Sequence, residues 1–432
     1  MKKLTILIPK IKPPEEPDII TNQLKNIFSE LKEQCEIKLV WMIFQPEKFD
    51  EYEYENSVVL DYHQFNNAIE SIEKIKPDLI ITEVRLGING IIFTKSGNHC
   101  KIPVVTITPT GESEFFSQNY SAKSNFQLFM SDKVLADSSK DKNPKKFGMF
   151  RYSLHRYFFL INTLKKINYS LFDLIKFFML YPRIQIFSKS YPALHKITSG
   201  NLNICFNKHW ESRLLDVNFP KSSIFLCGDP AFDKLHQRIQ QQKNSKIIDS
   251  KKINILFCPT PMHEHGWMKK KEEDELIVKL IQKILELEDI SISLKIHPSS
   301  SSYEEYDNLL KSHNLDIPLF QKENTIDLLQ KSDLMITYGS SNVILDAILL
   351  KKPIILFKNS MIPDLSRLSD KAVIVECSKI DDLDNLISKI VINSISDESF
   401  ENYIKKQIGN FDGKNSQRIS NMILKLTQKN SL

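Results

Sequence analysis

Residues 333–357 have the sequence DLMITYGSSNVILDAILLKKPIILF, and this stretch decides the predicted fold. Its apolar residues predict a strand at 334–337, a polar turn at 338–342, a helix at 343–350 and a second strand at 354–357. Strands that alternate with helices in this way are typical of a doubly wound parallel sheet.

The turn between this strand and helix is rich in small and polar residues, namely Gly339, Ser340, Ser341 and Asn342. Backbone N–H groups at a helix start, together with hydroxyls, favour a bound phosphate. His297 ends another predicted strand, 292–296, and the carboxyl ends of parallel strands are where such sheets bind ligands. We therefore expect a phosphate ester or diphosphate at this sheet edge, although simple helix capping by Ser341 or Asn342 also explains the turn.

The same alternation occurs in the N-terminal half, with strands predicted at 4–8, 37–44, 78–82 and 102–107, and it restarts at 253. This pattern predicts an α/β protein with two Rossmann-like parallel-sheet domains that face a cleft. The predicted divisions are an N-terminal acceptor domain at 1–235, a helical aromatic and basic insertion within it at 112–200, a linker at 236–251, a nucleotide-donor domain at 252–400, and a C-terminal helix at 401–432 that packs back across the domains.

Composition narrows the functional class. The chain has 432 residues, which predicts two domains, and only 11 Gly, with no GxGxxG or Walker pattern. Its six Cys are scattered without a CxxC pair, which indicates buried reduced thiols. The apolar run after Met1 predicts a first strand rather than a signal peptide, and no run approaches 18 apolar residues, so we expect no transmembrane helix.

Basic and aromatic residues are concentrated between Lys140 and Lys196. This segment contains twelve Lys or Arg, two Asp or Glu and 13 Phe or Tyr, so its net charge is +10 and that of the remaining chain is −5. A basic amphipathic stretch rich in Phe and Leu indicates contact with an anionic membrane surface. Two alternatives stay open: an ordinary helical core with solvated charges, and nucleic-acid binding, for which no module motif is present.

Several motifs occur in an order that resembles one superfamily. They are KIKPDLIIT at 74–82, SIFLCGDPAFDKL at 223–235, ILFCPTPMHEHGW at 255–267, KIHPSS at 295–300 and ENTIDLLQKSDLMITYGSSNVILDAILLKKPIILF at 323–357. Together they resemble the GT-B superfamily of glycosyltransferases. The resemblance is nearest to CDP-glycerol glycerophosphotransferases and bacterial sialyl- or polysialyltransferases, and more distant to non-hydrolysing UDP-N-acetylglucosamine 2-epimerases.

The chain departs from each of these groups. Thr110, Gly111 and Glu112 stand where the glycerophosphotransferases have a His, which removes that residue as a base. The epimerase turn DSGG-x-x-EE is replaced by residues 338–342 and Asp346, which disfavours epimerisation. The resemblance implies a GT-B fold, no tightly bound cofactor or metal, and a CMP-, CDP- or UDP-linked donor.

Candidate site residues follow from the motifs and the resemblance. His297 is expected to contact the donor phosphate, with Thr260 and His263 lining the site and Glu323 or Asn324 reaching the ribose or base. Glu112 and Glu114 follow an N-domain strand, where a carboxylate could be the general base; solvated loop charges are the alternative. His263 and His265 form a His-x-His pair, but no third ligand is evident and no metal is predicted. Asp229 and Asp233 are expected to cap and shape their junction.

The leading hypothesis is a transferase that moves a sugar or polyol phosphate to a surface-glycan or lipid-linked acceptor, as in capsule synthesis. It predicts a cytoplasmic protein that binds the inner membrane face through 140–196 and does not bind nucleic acid. A UDP-N-acetylglucosamine 2-epimerase-like enzyme is the second hypothesis, and a non-catalytic GT-B-like binding protein the third. The nucleotide base, the transferred group and the acceptor stay open.

Overall fold

The structure is a computed structural model that describes residues 3–11, 13–16, 19–83, 88–108, 146–186, 199–242, 252–264, 268–298, 302–339, 341, 343–358, 373–392 and 395–429. The chain forms two compact units. Unit 1 comprises residues 1–237 and 409–432, and unit 2 comprises residues 238–408. The last two dozen residues therefore belong to the same unit as the first.

Unit 1 is built on an eight-stranded sheet of order β3-β4-β2-β1-β5-β6-β7-β8. Its strands are β1 (Lys3–Lys10), β2 (Glu36–Ile43), β3 (Tyr52–Tyr54), β4 (Ser57–Asp61), β5 (Leu79–Glu83), β6 (Val104–Ile107), β7 (Leu202–Cys205) and β8 (Ile224–Leu226). All neighbours pair in parallel except β3 and β4. The predicted parallel sheet is confirmed, with one antiparallel edge added.

Helices cover both faces of this sheet. They are α1 (Ile19–Gln34), α2 (Ala68–Ile75), α3 (Ile88–His99), α4 (Lys146–Lys166), α5 (Leu171–Ile186), α6 (Lys208–Asp216), α7 (Asp233–Gln242), which runs on into unit 2, and, from the C-terminus, α14 (Asn415–Lys429). Alternate residues of β2 enter separate cores: Val40 and Met42 belong to one, Trp41 and Ile43 to the other. Burial on both faces explains the nearly continuous apolar sequence of this strand.

The hairpin formed by β3 and β4 was not predicted. Its two-residue turn, Glu55 and Asn56, has φ angles of 47° and 61°. Positive φ at both central residues is the geometry of the tight hairpin turn that matches strand twist. The flanking strands are only three and five residues long, which is too short for a clear apolar alternation.

The C-terminal helix is anchored to unit 1 by buried polar contacts. The carboxylate of Asp233 accepts the backbone N–H groups of Asn415 and Ser416 at 3.1 and 2.7 Å. Ser420 Oγ donates to the carbonyl of Ile27 in α1 at 3.0 Å. Asp229 accepts the N–H of Ala231 at 2.8 Å. The two aspartates of this junction therefore cap and shape it, as expected.

Unit 2 contains a six-stranded, wholly parallel sheet of order β11-β10-β9-β12-β13-β14. Its strands are β9 (Ile253–Pro259), β10 (Ile290–Lys295), β11 (Leu319–Phe320), β12 (Leu334–Tyr338), β13 (Ile354–Phe357) and β14 (Ile374–Cys377). Numbered within the unit, the order is 3-2-1-4-5-6. The chain reverses direction across the sheet between β9 and β12, which is the topological switch point.

The helices of unit 2 follow the predicted alternation. They are α8 (Lys270–Leu285), α9 (Tyr303–Ser312), α10 (Thr325–Lys331), α11 (Val343–Leu349), α12 (Leu383–Ile392) and α13 (Asp397–Tyr403). The predicted strand, turn, helix and strand of 333–357 are confirmed as β12, α11 and β13, although Ser340 and Asn342 lie outside the described residues.

The predicted insertion at 112–200 is described only in part. Within it α4 and α5 are helical, as expected, whereas 109–145 and 187–198 lie outside the described residues. No helix in the described part of the chain is long and apolar enough to cross a membrane.

Candidate functional site

The candidate site lies at the carboxyl ends of β9 and β12, the two strands that flank the switch point of unit 2. Thr260 to Glu264 follow β9, and Gly339 and Ser341 follow β12. Register fixes the two loops side by side, because Tyr338 pairs with Pro259 at the last rung of the ladder. Residues from sequence positions about eighty apart are therefore brought together at one edge of the sheet.

Gly339 is required at this edge for two reasons. Its φ angle is +73°, a left-handed conformation that side chains rarely adopt. A Cβ at this position would also lie 2.3 Å from Met262 Cε and 3.2 Å from Thr260 Oγ1. The loop after β12 can therefore pass directly over Thr260 and Met262 only without a side chain.

Thr260 carries the most informative polar atom of the site. The residue is only 4% exposed, and its Oγ1 has no hydrogen-bond partner in the described residues. Leaving a buried hydroxyl without a partner costs about 1–3 kcal/mol. A ligand bound at this end of the sheet would complete the hydrogen bonding of that hydroxyl.

Glu273 at the first turn of α8 holds both loops in place. Its carboxylate accepts the N–H groups of Met262 and His263 at 3.0 and 2.8 Å and the hydroxyl of Tyr338 at 2.9 Å. Burial raises the pKa of this carboxyl, against the lowering effect of these three donors. Sequence analysis missed Glu273, because a Glu in the first turn of a charged helix gives no sign that it is buried.

His263 stands on the loop that Glu273 fixes. The residue is exposed, and its ring Nδ1 lies 3.4 Å from the carbonyl of Met268. His265, the other member of the His-x-His pair, lies outside the described residues. Within the described ranges no group of three or more metal-binding side chains occurs.

His297 and a buried lysine mark the end of the neighbouring strand, β10. His297 is exposed just beyond the strand. Lys295 is 5% exposed and donates to the carbonyls of Ile296 and Gln321 at 3.1 and 2.7 Å. Burial lowers the pKa of this lysine. Lys295, which sequence analysis did not single out, ties the end of β10 to the turn that follows β11.

Glu323 and Asn324 lie in that turn, exposed to solvent. Glu323 Oε2 accepts the N–H of Gln321 at 2.8 Å, and backbone hydrogen bonds lower the pKa of its carboxyl. Asn324 caps α10 by accepting the N–H of Ile326 at 2.9 Å. Both side chains thus shape the turn, and their predicted contact with a ribose or base stays a prediction.

The predicted serine turn is only partly described. Ser341 Oγ accepts the N–H of Val343 at 3.4 Å at the start of α11, which is the capping arrangement considered above. The helix that follows, α11, has only seven residues. Glu112 and Glu114 also lie outside the described residues.

Unit 1 contains a carboxylate–imidazole pair that sequence analysis missed. At the end of β4, His63 Nδ1 lies 2.7 Å from Oδ1 of buried Asp61, and the His63 ring contacts that of His155 at a tilt of 36° with centroids 4.7 Å apart. The carboxylate fixes the ring orientation. The spacing Asp-x-His after a strand was the available signal, but His155 is brought near only by the fold.

A sequence-family model described as UDP-N-acetylglucosamine 2-epimerase matches residues 197–424, more than half of the chain. The chain belongs to the UDP-N-acetylglucosamine 2-epimerase family. The match includes all of unit 2, and the site described above lies within it. No curated protein sequence matches this chain significantly.

Solved structures agree with this assignment at the level of the fold. The UDP-GlcNAc 2-epimerase from Methanocaldococcus jannaschii superposes with a TM-score of 0.54 at 14% identity, over 98% of this chain and 100% of that one. The enzyme from Neisseria meningitidis, bound to UDP-GlcNAc, gives 0.51 at 14%, over 98% and 100%. The wall teichoic acid polymerase TagF gives 0.51 at 14%, over 99% and 89%.

The predicted GT-B-like architecture is therefore confirmed, with two parallel-sheet units of the kind that epimerases and glycosyltransferases share. The nearest predicted relatives are not confirmed, because the family model that matches describes UDP-N-acetylglucosamine 2-epimerases, which the sequence analysis placed as more distant. The turn at 338–342 still differs from the epimerase turn DSGG-x-x-EE, since a local motif can change while the fold that surrounds it persists.

Proposed function

We propose that this protein is a sugar-nucleotide enzyme that acts on a UDP-linked N-acetylhexosamine, as the epimerases of its family do. The nucleotide diphosphate would bind at the switch point of unit 2. The observation that carries the proposal is the buried Thr260 hydroxyl beside Gly339, which has no hydrogen-bond partner in the described part of the chain. Family membership supplies the substrate class.

The proposed contacts with the nucleotide come from residues that follow different strands of unit 2. Thr260 would donate to a phosphate oxygen, and His263 and His297 would place imidazoles near the same charge. Ser340 and Ser341 would add hydroxyls, and Glu323 would face the ribose. A low-dielectric site with fixed donors stabilises the negative charge that develops when a bond to the diphosphate breaks.

Inversion at C2 of the sugar has a further chemical requirement. The C2–H bond must break and form again on the opposite face. Since C2 has no neighbouring carbonyl, its electron pair would form a C1–C2 double bond as the C1–O bond to the diphosphate breaks, and the reverse addition would restore both bonds. A base and an acid must therefore act at C2 while the diphosphate stays bound. Glu112 and Glu114 stay the predicted candidates for this work.

Nucleotide binding by two threonine variants, one of them a matched control, tests the proposal. Thr260→Val keeps the side-chain shape and removes the unpartnered hydroxyl, so we expect UDP and UDP-N-acetylglucosamine to bind about tenfold more weakly, or about 1.4 kcal/mol. Thr337→Val is the control, because Thr337 donates to the carbonyl of Cys258 at 2.6 Å and its hydroxyl is already used. Isothermal titration calorimetry compares both variants with the native protein.

The free energy of unfolding should change mainly in the control variant, whereas nucleotide binding should change mainly in Thr260→Val. Removing the Thr337 hydrogen bond should lower the free energy of unfolding by about 1 kcal/mol, whereas Thr260→Val should leave it unchanged or raise it. Equal loss of nucleotide binding in both variants would contradict the role assigned to Thr260. Unchanged binding in Thr260→Val would contradict it as well.

Activity distinguishes epimerisation from other chemistry. In D₂O an epimerase incorporates deuterium at C2 and interconverts two UDP-sugars, which proton NMR follows directly. We expect loss of the C2 proton signal without release of UDP. Tight UDP binding with no exchange at C2 would reject epimerisation while retaining the nucleotide site.

A transferase is the second candidate. The turn at 338–342 and Asp346 replace the paired carboxylates of the epimerase turn, and this departure favours transfer of a sugar or polyol phosphate to a surface-glycan or lipid-linked acceptor. A preference for CMP or CDP over UDP in the same calorimetry would favour this candidate. Absence of nucleotide binding would favour a non-catalytic protein.

A further inference from the structure

Helices α4 and α5 of unit 1 expose an unusual number of large apolar side chains. Among the described residues nine large hydrophobic side chains are exposed, and six of them lie on these two helices. The six are Leu154, Phe158, Leu171, Phe172, Ile175 and Met179. Leu171 and Phe172 are the most exposed, at 75% and 73%. Scattered apolar residues are normal on a surface, but a cluster marks an interaction site.

The opposite faces of the same helices are fixed in the core. Phe159, Leu160 and Leu164 of α4 are at most 2% exposed, and Leu174 and Phe177 of α5 are 7% and 5% exposed. Thr163 Oγ1 of α4 also accepts the N–H of Ala68 at 2.9 Å, at the start of α2. The helices are therefore held by one face, and the apolar residues on the other are not a part of the core.

The exposed residues follow helical spacing. Leu171, Ile175 and Met179 are successive four-residue steps along α5, and Phe172 lies beside them. Leu154 and Phe158 are likewise four residues apart on α4. Each helix thus presents a continuous apolar stripe rather than isolated side chains.

Lysines border these stripes. Lys176 lies four residues after Phe172 and three before Met179, and Lys165 lies seven after Phe158, so both share a face with an exposed aromatic ring. Lys166 is also exposed. Long lysine side chains can follow an apolar surface while their ammonium groups stay in water, which suits the boundary between lipid tails and anionic headgroups.

An acidic residue, Asp173, lies close in sequence to Lys176 on α5. Asp173 accepts the N–H and hydroxyl of Ser170 at 3.0 and 2.6 Å, at the start of α5, and these bonds lower the pKa of its carboxyl. Asp173 thus caps the helix. Three exposed lysines against one capping acid leave this surface positive.

We propose that the exposed faces of α4 and α5 form an interfacial surface that docks on an anionic lipid bilayer. The apolar stripes would enter the headgroup boundary, and Lys165, Lys166 and Lys176 would contact anionic headgroups. Neither helix is long and apolar enough to cross a membrane, so binding is peripheral. This inference concerns where the enzyme works and does not depend on its reaction.

Sedimentation with vesicles tests the proposal on the full chain. The probes are sucrose-loaded vesicles of phosphatidylcholine alone and of phosphatidylcholine with phosphatidylglycerol. We expect binding to the anionic vesicles, weakened by high salt, and at least tenfold weaker binding to the neutral ones. Phe172→Ser with Ile175→Ser should reduce binding to anionic vesicles tenfold or more, and Lys165→Ala with Lys166→Ala and Lys176→Ala should do the same.

Matched variants elsewhere serve as controls. Leu285→Ser removes an exposed apolar residue of α8, which is 42% exposed, and Lys405→Ala with Lys406→Ala and Lys425→Ala removes three exposed lysines outside the surface. These variants should bind vesicles as the native protein does. Circular dichroism checks that each variant folds, and UDP binding by calorimetry reports separately on unit 2.

Two outcomes would overturn the proposal. One is the absence of binding to anionic vesicles by the folded native protein. The other is a concentration-dependent dimer, seen by light scattering, that the Phe172→Ser and Ile175→Ser variant abolishes while vesicle binding is unchanged. The second result would assign the surface to another copy of the chain.

Discussion

The loops of unit 2 and the helices α4 and α5 of unit 1 depart from ordinary protein packing in opposite directions. At the ends of β9 and β12, polar groups are buried: Glu273 is fully buried, and the Thr260 hydroxyl has no partner among the described residues. On α4 and α5 apolar groups are exposed, with Phe172 at 73%. Both arrangements cost free energy in the isolated protein.

This contrast indicates which kind of ligand or surface would complete each region. A buried hydroxyl without a partner among the described residues would gain a hydrogen bond from a small polar ligand. An exposed apolar stripe with lysine borders needs a broad amphipathic surface. The two regions are therefore expected to respond differently to substitution.

The largest effect should separate two phenylalanines of α5. Phe177 is 5% exposed and belongs to the unit 1 core, so Phe177→Ala should lower the free energy of unfolding by about 3–5 kcal/mol. Phe172→Ala should change it by less than about 0.5 kcal/mol, since its ring leaves the core untouched. Urea unfolding followed by circular dichroism measures both. A large loss from Phe172→Ala would show that this ring packs in the native state and would remove the contrast.

A smaller loss of stability is expected from substituting Gly339. An alanine there must adopt φ near +73° and meets Met262 Cε at 2.3 Å, so Gly339→Ala should cost about 1–3 kcal/mol of stability. Nucleotide binding should weaken as well, because the shifted loop lies against Thr260.

A double-mutant cycle with Met262→Ala apportions this cost. Shortening Met262 removes the clash but not the backbone strain, so the two substitutions should be coupled favourably. Additive effects would mean that the cost comes from the backbone conformation alone. Native-like stability of Gly339→Ala itself would show that the loop tolerates a side chain.

The smallest effect should appear in the pH dependence of stability. Burial raises the pKa of Glu273 above its usual 4.5, so the folded state binds a proton more tightly than the unfolded state. Stability from this group is then full below pH 4.5 and is lost as the pH rises through the folded pKa. Glu273→Gln should flatten this part of the profile, measured by urea unfolding across a pH series.

Glu275→Gln provides the control for that measurement, because Glu275 lies on the same helix and is exposed. It should leave the pH profile of the native protein unchanged. A steeper profile in Glu273→Gln, or the same flattening in Glu275→Gln, would contradict the assignment of the slope to the buried carboxyl.

Much of the fold was predictable from the sequence. The apolar runs of unit 2 are separated by clear turns, so the strand at 334–337, the helix at 343–350 and the strand at 354–357 were predicted within one residue of the bounds observed. The β3–β4 hairpin and α3 were missed, because three- and five-residue strands and a helix containing Asn and Gly lack a clear apolar period.

The candidate site was predictable only in outline. His297, Thr260 and Gly339 were singled out because they lie at or just after the carboxyl ends of predicted strands, where parallel sheets bind ligands, and their contact with a ligand stays a prediction. Glu273, Lys295 and the Asp61–His63 pair were missed. Their significance comes from burial and from partners distant in sequence, and a charged residue has the same local pattern whether it is solvated or buried.

The sequence by itself determined the alternation of strands and helices, the polar turns at their carboxyl ends and the basic aromatic character of 140–196. These are local properties, set by the spacing of apolar residues and the chemistry of turns. Only the tertiary structure decided that Thr260 lies under Gly339, that Glu273 ties two loops together, and which rings of α4 and α5 face outward. Strand order and register make those contacts, because pairing β12 beside β9 joins segments that about eighty residues separate along the chain.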